Sequence, residues 1–524
     1  MFVQKYSYFG NLPKKVDMTT NQNEQISPAI PQNLIDREVE VNDFLHLIKQ
    51  IRNDIQVSHN LIEWHGEPGI GKSTLLKLFV EQCEELKVAH AQINLKEINQ
   101  QEYLNDPSML LEQIIRKIAP EHQDQFTSFF SEADNFHAEA NLKNIVKRYY
   151  ELSYDERLYQ SPIWLQKLRI FAREFVNCLD KLATTEPKTW RPIVLFFDEA
   201  DHCDTRLLDW IEEFIIVPFT AKKYFVVIWA DRRPWRWKKP ELQSRRLSQK
   251  LVGFDKANTK RQIQENTADI TLAEELFSRV FAITKGHPFA VSVAVDEINA
   301  RNSSSSNLVT AIFNRVILNY AFQGLHEDHK IALQHLALVR LFDTSMIKEV
   351  LQRCAGEFFP EKMKHEEFNL LLQQLTTTQL ITWNNNYYSM VPDLRHLIRE
   401  YYLFEPSSTD KFIAVNKTAL DVYKRRIERS FADIPGAIIE EIYHCASIGQ
   451  VHTQTGEDFS VLNIVEGHLK KFSEWFSEQD ARLNALEGFR NRIAHDLDLP
   501  ILIDPKTLSK MIELIDKELS EIKE

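Results

Sequence analysis

Residues 66–73 read Gly66-Glu67-Pro68-Gly69-Ile70-Gly71-Lys72-Ser73, a G-x4-G-K-S stretch followed by Thr74. A short apolar run, 61–64, stands before it. After it, Leu75, Leu76, Leu78 and Phe79 return at helical spacing. The local order is strand, glycine-rich turn, helix. The chain has only 13 glycines in 524 residues, and three of them fall within these eight positions. Glycine is concentrated where the backbone needs conformations that a Cβ resists. Such a loop curls so that successive N–H groups face one anion, and the helix that follows adds its positive end. In this pattern Lys72 reaches the β- and γ-phosphates and the Ser73 hydroxyl ligates Mg²⁺, so residues 66–74 are the expected nucleotide-binding stretch.

The second half of such a site is Ile193-Val194-Leu195-Phe196-Phe197-Asp198-Glu199. A buried strand holds a carboxylate rigidly at its C-terminal end, where open α/β sheets bind ligands. Asp198 is the expected second Mg²⁺-holding residue, and Glu199 would orient and deprotonate the attacking water. The plainer reading is an acidic pair that caps the next helix. Further strands are predicted at 88–94 and 224–230, alternating with helices. Residues 33–255 therefore read as one α/β domain with a parallel sheet flanked by helices, a P-loop NTPase core.

The length exceeds what one core organises and suggests three or four domains. Hydrophobic residues make up 44% and charged residues 26%, which suits a soluble globular chain and excludes collagenous or disordered classes. No apolar run reaches membrane-spanning length, and the first residues lack an apolar signal region, so secretion is not expected. Cys83, Cys178, Cys203, Cys354 and Cys445 stand far apart with no metal or redox spacing, which suits a reducing cytoplasm. The net charge of −12 disfavours a globally basic nucleic-acid binder. Residues 1–32 are polar and read as a flexible leader. Beyond the sheet domain, 256–307 read as a helical lid, with 302–307 as a loop. Residues 308–405 run helix, helix, helix, hairpin, the winged-helix order, with a turn at Asn384-Asn385-Asn386. Residues 410–524 are all helical, with breaks near Pro435, Gly449 to Gly456, and Pro500 to Pro505.

In this order and spacing the chain resembles the signal-transduction (STAND) P-loop ATPases, the NACHT and NB-ARC-like branch of the AAA+ group, over about residues 34–405. Asp36-Arg37-Glu38 is similar to that family's G-R-E motif with Asp in place of Gly, which implies that Arg37 contacts the nucleotide. Ala230-Asp231-Arg232-Arg233 stands where the family keeps a γ-phosphate-sensing arginine. Arg232 is favoured, and Arg233 is the alternative. Gly286-His287-Pro288 resembles the G-x-P motif, which implies Pro288 beside the nucleotide. Met390-Val391-Pro392-Asp393-Leu394 aligns with the M-H-D-like motif and brings Asp393 to the site. Pro392 falls where that family has His, and a proline side chain has no donor for an ADP lock of that type. The resemblance implies ATP and Mg²⁺ as cofactors, homo-oligomerisation and a protein trigger.

The predicted recognition helix of the winged helix, 366–380, carries no Lys or Arg, so it reads as a lid over the nucleotide rather than a DNA reader. Residues 231–250 hold eight Lys or Arg in 20 positions, with Trp235 and Trp237 interleaved. Two readings stand: a solvated face whose tryptophans pack on the sheet, or a contact for nucleic acid or an acidic neighbouring subunit.

Near the C-terminus, residues 488–496 read GFRNRIAHD. Arg490 and His495, late in a helix of an all-helical region, resemble the R-x4-H signature of HEPN domains. That resemblance implies metal-independent action on RNA, with His495 moving a proton and Arg490 stabilising phosphate charge. The plainer reading is a capping arginine and a helix-end histidine on the dipole. The function expected from the whole is an ATP-binding signalling switch. It binds Mg-ATP, moves its lid and oligomerises to activate a C-terminal effector, an RNase of a defence or stress response. The alternatives are a non-nuclease ATPase scaffold that recruits a partner effector, and an ATP-dependent transcription regulator acting through the winged helix.

Overall fold

The computed structural model describes residues 36–118, 126–139, 145–152, 163–267, 270–301, 303–384, 387–429, 433–452 and 461–523. The expected leader at 1–32 and two of the three expected turn residues, 385–386, lie outside them.

Five strands form one parallel sheet: β1 Leu61–His65, β2 Ala89–Asn94, β3 Ile193–Asp198, β4 Phe225–Asp231 and β5 Arg246–Lys250. Their order is β2-β3-β4-β1-β5. The glycine-loop strand β1 and the acid-bearing strand β3 thus flank β4, with Leu61 and Leu195 both registered on Val227. β3 and β4 are buried along their whole length, as interior parallel strands covered on both faces must be. Side-chain alternation places Val194, Phe196, Val226 and Ile228 against α1 Glu38–Arg52 and α2 Lys72–Glu85. It places Ile193, Leu195, Phe197, Val227 and Trp229 against α3 Ser108–Ile118 and α4 Ile163–Thr185.

β5 falls inside the stretch read as a basic loop. Its sequence, Arg-Leu-Ser-Gln-Lys, holds one apolar residue and forms a partly exposed edge, so alternation gives no signal there. Arg246 instead pairs with Glu63, which is buried in β1. The tryptophans of this stretch follow the plainer reading. Trp237 is buried, and the rings of Trp235 and Trp237 lie 6.2 and 5.2 Å from that of Trp229. Lys238 and Lys239 pair with Asp209 and Glu213 of the same chain.

The remainder is helical. α5 Lys256–Asn266, α6 Ile270–Thr284 and α7 Pro288–Asn299 fill the segment expected as a helical lid. A helix at Ser305–Ile312 begins inside the expected serine loop, because the Ser304 side chain accepts the Asn307 N–H at 3.2 Å and caps it. Then come α8 Glu327–Leu336, α9 Thr344–Cys354, α10 His365–Thr377 and the hairpin β6 Ile381–Asn384 with β7 Tyr387–Met390. Phe342 bridges Tyr388 and adds a third chain segment to the wing. α11 Pro392–Phe404, α12 Thr409–Glu428, α13 Ile434–His452, α14 Gln479–His495 and α15 Pro505–Lys523 follow. Of the break expected from Gly449 to Gly456, Gly449 lies within α13, which is described to His452, and 453–456 lie outside the described residues. One continuous apolar core runs from Ile263 to Leu519, so the lid, winged-helix and C-terminal segments share it. Among the described residues no helix is long and apolar enough to cross a membrane.

Candidate phosphate-binding site

The loop after β1 has the shape its glycines suggest. Gly69 (φ +80°) and Gly71 (φ +99°) both take the left-handed region. Gly71 is the N-cap of α2 and offers no capping side chain, so the first N–H groups of α2 remain available to an anion. Lys72 Nζ donates to the carbonyls of Gly66 at 2.7 Å and Glu67 at 3.1 Å. Burial pulls its pKa down, and the carboxylates of Asp201, Asp198 and Asp231 oppose that. Two carbonyl dipoles are weak partners for a buried ammonium, and a polyphosphate is a stronger one.

At the C-terminal end of β3, Asp198 is buried and stands near the Ser73 hydroxyl. Burial pushes its pKa up, and Ser73, the Glu199 N–H and Lys72 oppose that. These two hard oxygens converge next to Lys72 and fit a divalent cation. Among the described residues no group of three His, Cys, Asp or Glu is arranged to hold a metal. Mg²⁺ here would take only Ser73 and Asp198 from the protein, with phosphate and water completing its shell. Glu199 leaves the strand in a left-handed turn (φ 54°) and pairs with Lys96 at 3.6 Å. Arg232, just past β4, pairs with Asp201 at 2.6 Å. Arg233 turns away and donates to the carbonyls of Gln379, at 2.6 Å, and Ile381. Geometry thus separates two arginines that spacing could not.

The opposite side is built from α1 and the lid. The guanidinium of Arg37 is buried and donates to the carbonyls of Val252 at 2.9 Å and Ile70 at 3.3 Å, tying the loop to the lid connection. Asp36 adopts φ 57°, a left-handed conformation that Gly, and less often Asp or Asn, takes readily. His287 is the N-cap of α7. Its Nδ1 accepts the Ala290 N–H at 3.2 Å, which leaves Nε2 to donate to the Pro68 carbonyl at 2.9 Å. The ring is therefore neutral, and burial pushes its pKa down. Sequence reasoning passed over His287 in favour of Pro288, the next residue.

Arg37, Pro68 to Thr74, Glu199, Arg232 and Pro288 line one cavity of about 560 Å³. Gly66, Glu67, Asp198 and Asp393 are not among its lining residues. Asp198 stands behind Ser73, and the Asp393 N–H faces Glu67 at 3.3 Å. Lys96, Asp201, His202 and Tyr320 also line the cavity and were missed. Lys96 lies two residues past β2, so the rule that ligands sit at the C-terminal ends of parallel strands offered a signal for it.

At the other end of the chain, the structure does not bring Arg490 and His495 together. Both lie on α14, five residues and thus roughly 140° apart around its axis. Arg490 Nε pairs with Asp516 of α15 at 2.5 Å, which raises its pKa. His495 is exposed, and its Nδ1 donates to the Asn491 carbonyl at 2.8 Å.

No family model and no curated protein matches the chain. Among solved structures, it is similar to a Walker-type ATPase of Pyrococcus abyssi at 15% identity, over 70% of this chain and 97% of that one, with a TM-score of 0.39. It is similar to the ADP form of the Aeropyrum pernix ORC2 protein at 13% identity, over 75% and 97%, with a TM-score of 0.36. It is also similar to the Drosophila ORC bound to DNA at 14% identity, over 74% and 95%, with a TM-score of 0.31.

Proposed function

We propose that the chain is an ATP-binding signalling switch of the STAND type, in which Mg-ATP occupancy sets how the lid and winged helix sit on the sheet domain. The observation that carries this is the convergence on one cavity of Lys72, Ser73, Glu199 and Arg232 with Arg37 and Pro288 of the flanking helical elements. Lys72 and the α2 N-terminus bind the phosphates, and Arg232 meets the γ-phosphate. Glu199 holds the attacking water and accepts its proton once Lys96 releases the carboxylate. Mg²⁺, when bound, neutralises charge on the phosphate oxygens. The test is titration calorimetry of ATP with Mg²⁺. Lys72→Ala is expected to weaken binding at least tenfold, and undiminished affinity in that variant refutes the ATP reading.

The C-terminal helices are the effector end. The RNase reading requires Arg490 to leave Asp516 so that it can meet an RNA phosphate. The scaffold reading has no such requirement, and the Arg490–Asp516 pair favours it. RNA cleavage that is abolished by His495→Ala and raised by Asp516→Ala would establish the nuclease instead. The transcription-regulator reading has less support, since the exposed face of α10 offers a DNA backbone no cation.

A further inference from the structure

Arg232 is held from three sides. Its Nε lies 2.6 Å from Asp201 Oδ2, its Nη1 donates to the Thr378 carbonyl at 2.9 Å, and its Nη2 donates to His202 Nε2 at 3.3 Å. Asp201 and Arg232 line the phosphate cavity, and Thr378 does not. Thr378 is the C-cap of α10, and the next residue, Gln379, turns through φ 60° with its carbonyl taken by Arg233. The turn between α10 and β6 is thus fastened to the sheet domain by two adjacent guanidinium groups, and one of them also faces the cavity.

A guanidinium is a rigid planar fork. The Asp201 carboxylate, 2.6 Å from Nε, anchors one side of the fork, and the terminal nitrogens can change partner. A phosphate oxygen is a stronger acceptor for a cationic N–H than a neutral carbonyl is. Resting on the ATP reading above, we propose that Asp201 is the positioning residue of Arg232. It pins Nε so that Nη1 passes from the Thr378 carbonyl to a γ-phosphate, and this releases one of the two guanidinium tethers on the α10–β6 turn. ADP lacks the γ-phosphate and leaves the Thr378 tether in place. Asp201 reaches the γ-phosphate through Arg232, and its charge also supports that of Lys72.

The test uses the full chain and reads two quantities. Calorimetry with Mg²⁺ gives the affinities for ADP and for a non-hydrolysable ATP analogue. Hydrogen–deuterium exchange follows residues 375–384. In the wild type the analogue is expected to raise uptake in that segment, and ADP is not. Asp201→Asn is expected to lose roughly tenfold of the preference for the analogue over ADP and to show no rise in uptake. Arg232→Ala should match it, and Asp201→Glu should recover most of the preference. An unchanged thermal melt of Asp201→Asn shows that the variant is folded. A wild-type preference and uptake response retained in Asp201→Asn would overturn the proposal alone, as would a wild type that binds the analogue without loosening 375–384. A wild type that binds neither nucleotide would end the ATP reading and this proposal with it.

Discussion

The Glu67 carboxylate of the glycine loop caps helix α11, accepting the backbone N–H of Leu394 at 3.1 Å and that of Asp393 at 3.3 Å. Val391 at the N-cap offers no side-chain acceptor, and Pro392 follows it. An acid from the sheet domain therefore does what a capping Ser or Asp does locally, and it meets the positive end of the helix dipole. Glu67→Ala is expected to cost about 1 kcal/mol, whereas Glu67→Gln keeps an oxygen acceptor and should cost a few tenths. Urea unfolding checks this, and an alanine variant as stable as the wild type would refute the cap.

The same carboxylate makes stability depend on pH. Burial pushes its pKa up to about 7, the charge of Asp393 adds to that, and the two N–H bonds and Lys250 oppose it. Between about 4.5, the value of an unperturbed Glu, and about 7, the folded chain binds more protons than the unfolded one. Stability therefore falls as pH rises through that window, by at most about 1.4 kcal/mol per pH unit from this group. Asp231, also pushed up to about 7 by burial, contributes in the same direction. The unfolding free energy of the wild type relative to Glu67→Gln, measured from pH 5 to 7.5, should decline as pH rises, since the variant lacks this group's contribution.

The glycine loop and the acidic end of β3 were legible in the sequence because their chemistry is local. Turn, charge and strand lie within eight residues of one another. β5 was illegible because an exposed edge strand has no apolar alternation to report. Arg232 and Arg233 were inseparable because the bend after β4, which aims one at the cavity and the other at Gln379, has no sequence code. Glu67 was expected on the nucleotide, yet its partner lies 326 residues away in another segment. His287 reads as a variable position in its motif, although its ring fills the space beside Gly69.

That last contact makes Gly69 sensitive twice over. A Cβ there would stand 2.7 Å from His287 Cε1 and 3.1 Å from Phe289 Cβ, and the residue holds φ +80°. Gly69→Ala is expected to cost about 1–3 kcal/mol, from backbone strain and the clash together. It should also weaken nucleotide binding, because the loop must shift. Adding His287→Ala relieves the clash but not the strain, so the double variant should recover only part of the loss. Full recovery, followed by calorimetry and thermal melts, would mean that the left-handed backbone at Gly69 is not required.

The winged helix is joined to the C-terminal helices by buried charge. Arg340 Nη2 lies 2.6 Å from Glu440 and Nη1 lies 2.6 Å from Asp496, while Arg395 of α11 donates to both oxygens of Asp498 at 2.7 Å. Asp496 and Asp498 directly follow the end of α14, so these arginines fix where His495 sits. Burial raises the pKa of Glu440, and Arg340 opposes that. Removing Arg340 alone strands a buried acid, a change that costs about 3–5 kcal/mol where measured. Arg340→Ala is therefore expected to be strongly destabilising and to raise deuterium uptake over residues 479–503. Glu440→Ala with Arg340→Ala should cost less than the sum of the two single changes, since the double variant leaves neither partner of the pair uncompensated. Strict additivity in that cycle would show that the pair does not hold the C-terminal helices to the winged helix.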